Sequence, residues 1–204
     1  MIDVDSLSIK YNGITIIHNL TFSVGKGEIF SFYGDSGKGK TSIFSCLLGF
    51  QKPASGNISI DGELLSKSTI HSIRNKVAWL PQNINNFPNI SIREQIHLFR
   101  KFKLNTELYS EEKFLKFTQL FRLKDDILTA HFSELSGGEK QRVVLIYTLL
   151  QNKKILLFDE PTSGLDEQSE ASIIDYMRGQ RDLTILTSTH SKTWLDFSTK
   201  TLKI

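Results

Sequence analysis

One stretch, Gly34-Asp-Ser-Gly-Lys-Gly39-Lys40-Thr41, restricts the fold more than any other part of the chain. It satisfies the pattern G-x-x-x-x-G-K-[ST] in full. It follows Glu28-Ile-Phe-Ser-Phe-Tyr33, an aromatic-rich run that reads as a strand, and precedes residues 40–50, which read as a helix. A strand that turns through glycines into a helix presents the first helical N–H groups, and roughly half a positive charge, at one place. Glycine lets those amides approach an anion closely. Gly34, Asp35, Ser36, Gly37, Lys38 and Gly39 are therefore expected to cradle phosphates, with Ser42 as a further contact on the helix. Lys40 is expected to reach the β- and γ-phosphates of ATP, and the Thr41 hydroxyl to ligate Mg²⁺.

The chain around this loop alternates strands and helices. Residues 2–10 and 14–24 alternate apolar and polar positions, and Asn12-Gly13 between them signals a hairpin. Asn57 to Ile60, Val77 to Leu80 and Leu183 to Thr187 read as further strands, and Lys154 to Phe158 is the continuous apolar run of a buried parallel strand. Ser136 can cap a helix from about Gly138 to Gln151, and Glu167 to Arg178 is helical. From about Ser91 to Ala130, Ile92, Ile96, Phe99, Phe114, Phe117, Leu120 and Phe121 recur at helical spacing. The expected fold is α/β: a P-loop NTPase core with a mainly parallel sheet, an N-terminal antiparallel β layer and an inserted α-helical subdomain. Residues 1–204 form a single domain in this reading, with 1–82 and 131–204 as catalytic core and about 83–130 as the insert.

Bulk composition removes several function classes. Lys and Arg total 25 against 22 Asp and Glu, a net charge of +3 that offers no strong field for nucleic acid, and none is expected as partner. The single cysteine, Cys46, cannot close an internal disulfide and reads as core, which fits a reducing compartment. No apolar run approaches the roughly 18 residues a bilayer span needs. Met1-Ile-Asp-Val-Asp5 carries acids where a signal peptide carries positive charge. A cytoplasmic location is expected, with any membrane role running through partners.

Ile155-Leu-Leu-Phe-Asp159-Glu160 ends an apolar strand in two adjacent carboxylates. Asp159 at the strand terminus suits Mg²⁺, and Glu160, pointing differently, suits a general base acting on the water that attacks the γ-phosphate.

Leu135-Ser-Gly-Gly-Glu139-Lys-Gln-Arg142 resembles the signature motif of ABC-type ATPases, and the family's other motifs follow in order over about residues 2 to 204. Tyr11 stands where the adenine-stacking aromatic is expected. Gln82, after Trp79-Leu-Pro, is similar to the Q-loop glutamine, Pro161 to Asp166 resembles the D-loop, and His190 resembles the switch histidine. The resemblance implies that Ser136, Gly137, Gly138 and Glu139 form an anion site far from the phosphate loop of their own chain. A head-to-tail homodimer formed on ATP binding would then cover each ATP with the partner's signature segment. It also implies that Gln82 contacts Mg²⁺ and the attacking water, and that His190 bonds the γ-phosphate.

The implied role is the ATP-binding subunit of an ABC transporter. It would sit on the inner face of the cell membrane through separately encoded membrane-spanning subunits, with Asn83 to Asn89 in the docking surface. Ser91-Ile-Arg-Glu-Gln-Ile96 resembles exporter sequences and tips the expectation toward export. The alternative is a soluble ABC-type ATPase driving a non-transport process. Two departures stand out: Tyr147 occupies a position where relatives usually carry an arginine of a structural ion pair, and the sequence ends soon after His190, so no C-terminal regulatory domain is expected.

Overall fold

The computed structural model describes residues 1–101 and 108–204. Residues 102–107, part of the predicted helical stretch 91–130, lie outside the described residues. The first elements are β1 (Ile2–Tyr11), β2 (Ile14–Val24), β3 (Ile29–Tyr33), α1 (Lys40–Leu47), β4 (Ser55–Ile60) and β5 (Glu63–Leu64). Next come α2 (Ile70–Lys76), β6 (Val77–Leu80), α3 (Ile92–Arg100), α4 (Glu111–Leu120) and α5 (Gly137–Leu150). The last are β7 (Ile155–Asp159), α6 (Glu167–Arg178), β8 (Thr184–Ser188), α7 (Lys192–Phe197) and β9 (Lys200–Lys203).

Two compact units result. One comprises Met1–Trp79, Lys153–Glu160 and Asp182–Ile204, the other the described residues of Leu80–Asn152 together with Pro161–Arg181. The segments carrying α5 and α6 belong to this second unit together with α3 and α4.

In the first unit, four strands form an antiparallel layer in the order β2-β1-β4-β5. The β1–β2 hairpin turns at Asn12 and Gly13, both with positive φ (47° and 81°), as a two-residue I′ turn requires. Five strands form the second sheet in the order β6-β7-β8-β3-β9. β3 runs parallel to both β8 and β9, and β7 runs parallel to β8. Every residue of β7 and β8 is buried, the pattern of a central parallel strand covered on both faces. The short elements β5, α2, α7 and β9 carry too few residues for periodicity to reveal them in the sequence.

Aromatic rings fill the core of this unit. Phe22, Phe30 and Phe32 meet with centroids 5.0–5.4 Å apart, and Phe44 of α1 packs on Trp79 at 5.1 Å. α1, and with it the phosphate loop, is thereby held by buried apolar area. Cys46 is fully buried in the same cluster, and desolvation pushes its thiol up to about 11, so it behaves as core.

The second unit is built on helices with well-made N-termini. Ser91 and Glu94 form a capping box on α3, and Ser110 and Asp166 cap α4 and α6. Its centre is Tyr147 of α5, 3% exposed, whose ring meets Phe87, Phe99, Tyr109 and Phe114 with centroids 4.9–6.2 Å away. Where the family resemblance implied an ion pair, this chain has an aromatic hub. The Tyr147 hydroxyl is buried without a hydrogen-bond partner among the described residues. Tyr147→Phe is therefore expected to raise the free energy of unfolding by about 1 kcal/mol, since it deletes a desolvated polar atom and keeps the ring. A urea titration showing a loss of stability instead would mean that the hydroxyl is bonded.

Candidate functional site

The phosphate loop emerges from the C-terminal end of β3 and ends where α1 begins. α1 has Gly39 at its N-cap, no side-chain cap and no acidic residue in its first turn, so its N-terminal dipole is not answered by a local side chain. Gly39 is required twice over: its φ is +96°, and a Cβ there would stand 2.6 Å from Ile16 Cγ2 on β2. Asp35, Ser36, Gly37 and Lys38 are exposed along the loop, Thr41 is exposed and Ser42 half-buried on the first helical turn.

Lys40 is 7% exposed, and its Nζ donates to the carbonyls of Gly34 (2.6 Å) and Asp35 (3.0 Å). The ammonium is folded back into its own loop, where phosphate oxygens would compete with two neutral carbonyls for it. It also lies 3.3 Å from His190 Nε2. That same ring nitrogen is 3.2 Å from Glu160 Oε1. One nitrogen thus faces an ammonium donor and a carboxylate acceptor, and the histidine tautomer selects which of them it bonds.

Glu160 follows the last residue of β7 and has φ 54°, a left-handed conformation for a side-chain-bearing residue. Its backbone N–H donates to the carbonyl and to the hydroxyl of Ser188, both at 3.1 Å, and these bonds hold the turn. The backbone N–H of His190 donates to Glu160 Oε2 at 3.3 Å. Strain of this kind, costing about 1–3 kcal/mol, persists where surrounding bonds over-determine it, and here it turns the carboxylate away from the line of the strand. Burial raises the Glu160 pKa above its ordinary value of 4.5, opposed by the positive fields of His190 and Lys40.

Asp159 is 1% exposed; its Oδ1 accepts from the Ser188 hydroxyl while Oδ2 is buried without a partner among the described residues. An orphaned carboxylate oxygen next in sequence to Glu160 fits a hard divalent cation, which takes oxygen ligands. Ser188 is the residue that reading the sequence missed. Its hydroxyl reaches both Asp159 and the Glu160 amide, and the only signal was its place two residues before His190 at the end of β8.

The signature residues lie in the second unit. Ser136 is the N-cap of α5: its hydroxyl accepts from Glu139 N–H (3.3 Å), and Glu139 Oε2 accepts from Ser136 N–H (2.9 Å). The Ser136 amide bond is the main reason why the Glu139 pKa is lowered. The hydroxyl hydrogen of Ser136 is not consumed by that cap, and the Gly137 and Gly138 amides occupy the first helical turn. Behind them Arg142, 8% exposed, donates to Ser169 Oγ and stands 3.7 Å from Asp166 Oδ2, tying α5 to the cap of α6. Gln82 also belongs to the second unit and is exposed, whereas Tyr11, 63% exposed at the end of β1, belongs to the first. The structure therefore brings Gly34, Asp35, Lys40, Glu160 and His190 together in one unit and Ser136 to Glu139 in the other.

The sequence model of the ABC transporter family matches residues 17–163. The chain belongs to the ABC transporter family. Within it this is an ABC-type ATPase domain with the P-loop NTPase fold. A phosphonates import ATP-binding protein of Oceanobacillus iheyensis is 30% identical over 207 residues, covering 93% of this chain and 80% of that protein. A Nod factor export ATP-binding protein of Burkholderia thailandensis is 33% identical over 194 residues, covering 93% and 62%. A Haemophilus influenzae protein named "Probable ABC transporter ATP-binding/permease protein" is 36% identical over 180 residues, covering 85% of this chain but only 32% of that protein. Among solved structures, the dimeric ABC transporter cassette MJ0796 superposes with a TM-score of 0.86 at 25% identity, covering 100% of this chain and 94% of that one. A bacterial Atm1-family ABC exporter with ATP bound gives 0.84 at 30% identity, covering 100% and 36%. The ABC domain in hand thus matches relatives named for import and for export.

Proposed function

We propose that this chain binds and hydrolyses Mg-ATP in a head-to-tail homodimer and so powers transport through separately encoded membrane-spanning subunits. The observation that carries the reading is that the uncapped N-terminus of α1 and the glycine-bearing N-terminus of α5, which begins with Gly137 and Gly138, belong to different compact units of one chain. In this reading the loop Gly34–Thr41 takes the phosphates and Tyr11 takes the adenine. Lys40 exchanges the Gly34 and Asp35 carbonyls for β- and γ-phosphate oxygens. Glu160, ionised, accepts a proton from the attacking water. His190, already 3.2 Å from Glu160, holds the γ-phosphate side of the site. Thr41, Asp159 and Gln82 would hold Mg²⁺, which neutralises phosphate charge when bound. Ser136, with the amides of Gly137 and Gly138 and with Glu139 as its capping partner, closes the site from a second copy.

The dimeric MJ0796 cassette supports the homodimer, and the names of the import and export relatives support transport. About residues 83–130 serve as the inserted helical subdomain that meets the membrane partner, and the export direction rests on Ser91 to Ile96. No described helix is long and apolar enough to cross a membrane, so in this reading the chain reaches the inner membrane face from the cytoplasm through its partners.

Mixing two inactive variants tests the shared site. Ser136→Arg and Lys40→Ala should each abolish most turnover alone. Mixed in equal amounts they should regain about a quarter of the wild-type rate, since half the dimers then hold one intact composite site. Failure of any complementation would place each complete site within one chain. Capture of a multi-spanning membrane protein with the tagged chain from detergent-solubilised membranes tests the transport role, and recovery of soluble partners alone would favour a non-transport ATPase.

A further inference from the structure

The segment after Gln82 and the segment leading into Ser136 are joined by direct contacts within the second unit. Gln95 of α3, fully buried, donates from Nε2 to the Pro88 carbonyl at 2.7 Å. The Asn89 side chain accepts from Ser133 N–H (3.0 Å), and the Ile90 carbonyl accepts from Phe132 N–H (3.2 Å). Ser91 and His131 close this clasp as an isolated antiparallel bridge. Lys140, in the first turns of α5, donates to the Ser133 carbonyl and lies over the Phe132 ring at 5.8 Å.

Phe87 adds a second attachment. Its ring stacks on Phe132 (centroids 5.5 Å, planes 29° apart) and on Tyr147 (6.1 Å, 18°). Phe132 lies just before the α5 N-cap and Tyr147 lies well along the helix; the 11 residues from Ser136 to Tyr147 span about 16 Å. One ring therefore touches α5 at its lead-in and in its body, and two such points define the direction of the helix as well as its position. The close packing of the surrounding rings leaves little slack between them.

We propose that Phe87 is a positioning residue for hydrolysis. Through Phe132 and Tyr147 it sets the stance of α5, so that displacement of the Asn83–Asn89 segment is delivered to Ser136 and the amides that follow it. This rests on the reading above in which those amides complete the site of a second copy. Tyr147 supplies the flat face on which Phe87 stacks, so the linkage rests on the aromatic ring at this position.

The test compares full-length Phe87→Ala and Phe87→Tyr with wild type in two independent measurements. Amide hydrogen exchange in peptides spanning 132–139, measured without nucleotide, reads the linkage. Phe87→Ala should speed it severalfold while peptides of α1 and β7 stay as in wild type, and Phe87→Tyr should restore the protection. Steady-state ATPase kinetics with Mg-ADP affinity reads the positioning. In Phe87→Ala kcat should fall by about ten- to a hundredfold, the upper end being the cost of a roughly 1 Å misplacement, with Mg-ADP affinity unchanged, and Phe87→Tyr should recover most of the rate. Should Phe87→Ala lower the unfolding midpoint of the whole protein, Phe87→Leu, which keeps most of the apolar volume without the flat ring, carries the same expectations. Unaltered exchange overturns the proposal, and so does faster exchange with an unaltered kcat. A wild-type protein without ATPase activity would instead overturn the reading of the site, while the exchange measurement still reports on the linkage.

Discussion

Glu160→Gln is expected to lower ATP turnover by about 10²–10⁴-fold, the usual worth of a positioned general base, while ATP affinity stays near wild type. The amide is nearly isosteric, so it can keep the acceptor contact to the His190 backbone N–H (3.3 Å) and leave the φ 54° turn held by Ser188. What it cannot do is take a proton from water. In the presence of Mg-ATP the variant should accumulate as a dimer by size exclusion, because closure no longer leads to hydrolysis. A variant that turns over at the wild-type rate would remove Glu160 from the role of base. The pH dependence has a definite sign. Burial holds the carboxyl above 4.5, and the base must be ionised to act, so the wild-type rate should rise with pH along an acid limb above the ordinary carboxylate range. A limb at or below that range would mean that the positive fields of His190 and Lys40 outweigh desolvation once nucleotide is bound.

Lys40→Ala is expected to weaken ATP binding itself, by roughly ten- to a hundredfold, from the loss of charge-assisted bonds to phosphate. The side chain is 7% exposed and is held by the Gly34 and Asp35 carbonyls, so it is already organised at the loop before any ligand arrives. Its removal also strips a positive neighbour from Glu160, which should drive that carboxyl further upward and shift the acid limb to higher pH. Titration with a fluorescent ATP analogue separates this from the Glu160 effect: affinity falls in one variant and holds in the other. Unchanged affinity in Lys40→Ala would sink the assignment of the cradle.

The two variants differ because their residues act at different stages, and the local structure reflects that. Lys40 sits on a helix start whose amides and dipole act on any phosphate. Glu160 sits at a strained turn whose geometry depends on a neighbouring strand.

Local chemistry made much of the protein legible from sequence alone. The β3–loop–α1 unit, the Asn12-Gly13 hairpin, the buried run of β7 and the cap at Ser136 each follow from residues close together in the chain, where backbone preference and short-range hydrogen bonds dominate. The α/β class and the mainly parallel sheet followed from the alternation of those elements. What sequence reading did not reach depends on residues far apart along the chain. The Ser188 hydroxyl acquires its meaning only when β8 lies beside β7 and brings it to Asp159 and the Glu160 amide. The Gly39 requirement comes partly from Ile16 on another strand. Tyr147 read as the loss of an ion pair, and only packing revealed it as a hub joining Phe87, Phe99, Tyr109 and Phe114. The sequence by itself determined the phosphate loop, because the amides of a helix start are a property of the local backbone. Tertiary structure alone decided which side chains hold Asp159, Glu160 and α5 in place, because a side chain has no partner until the fold supplies its neighbour.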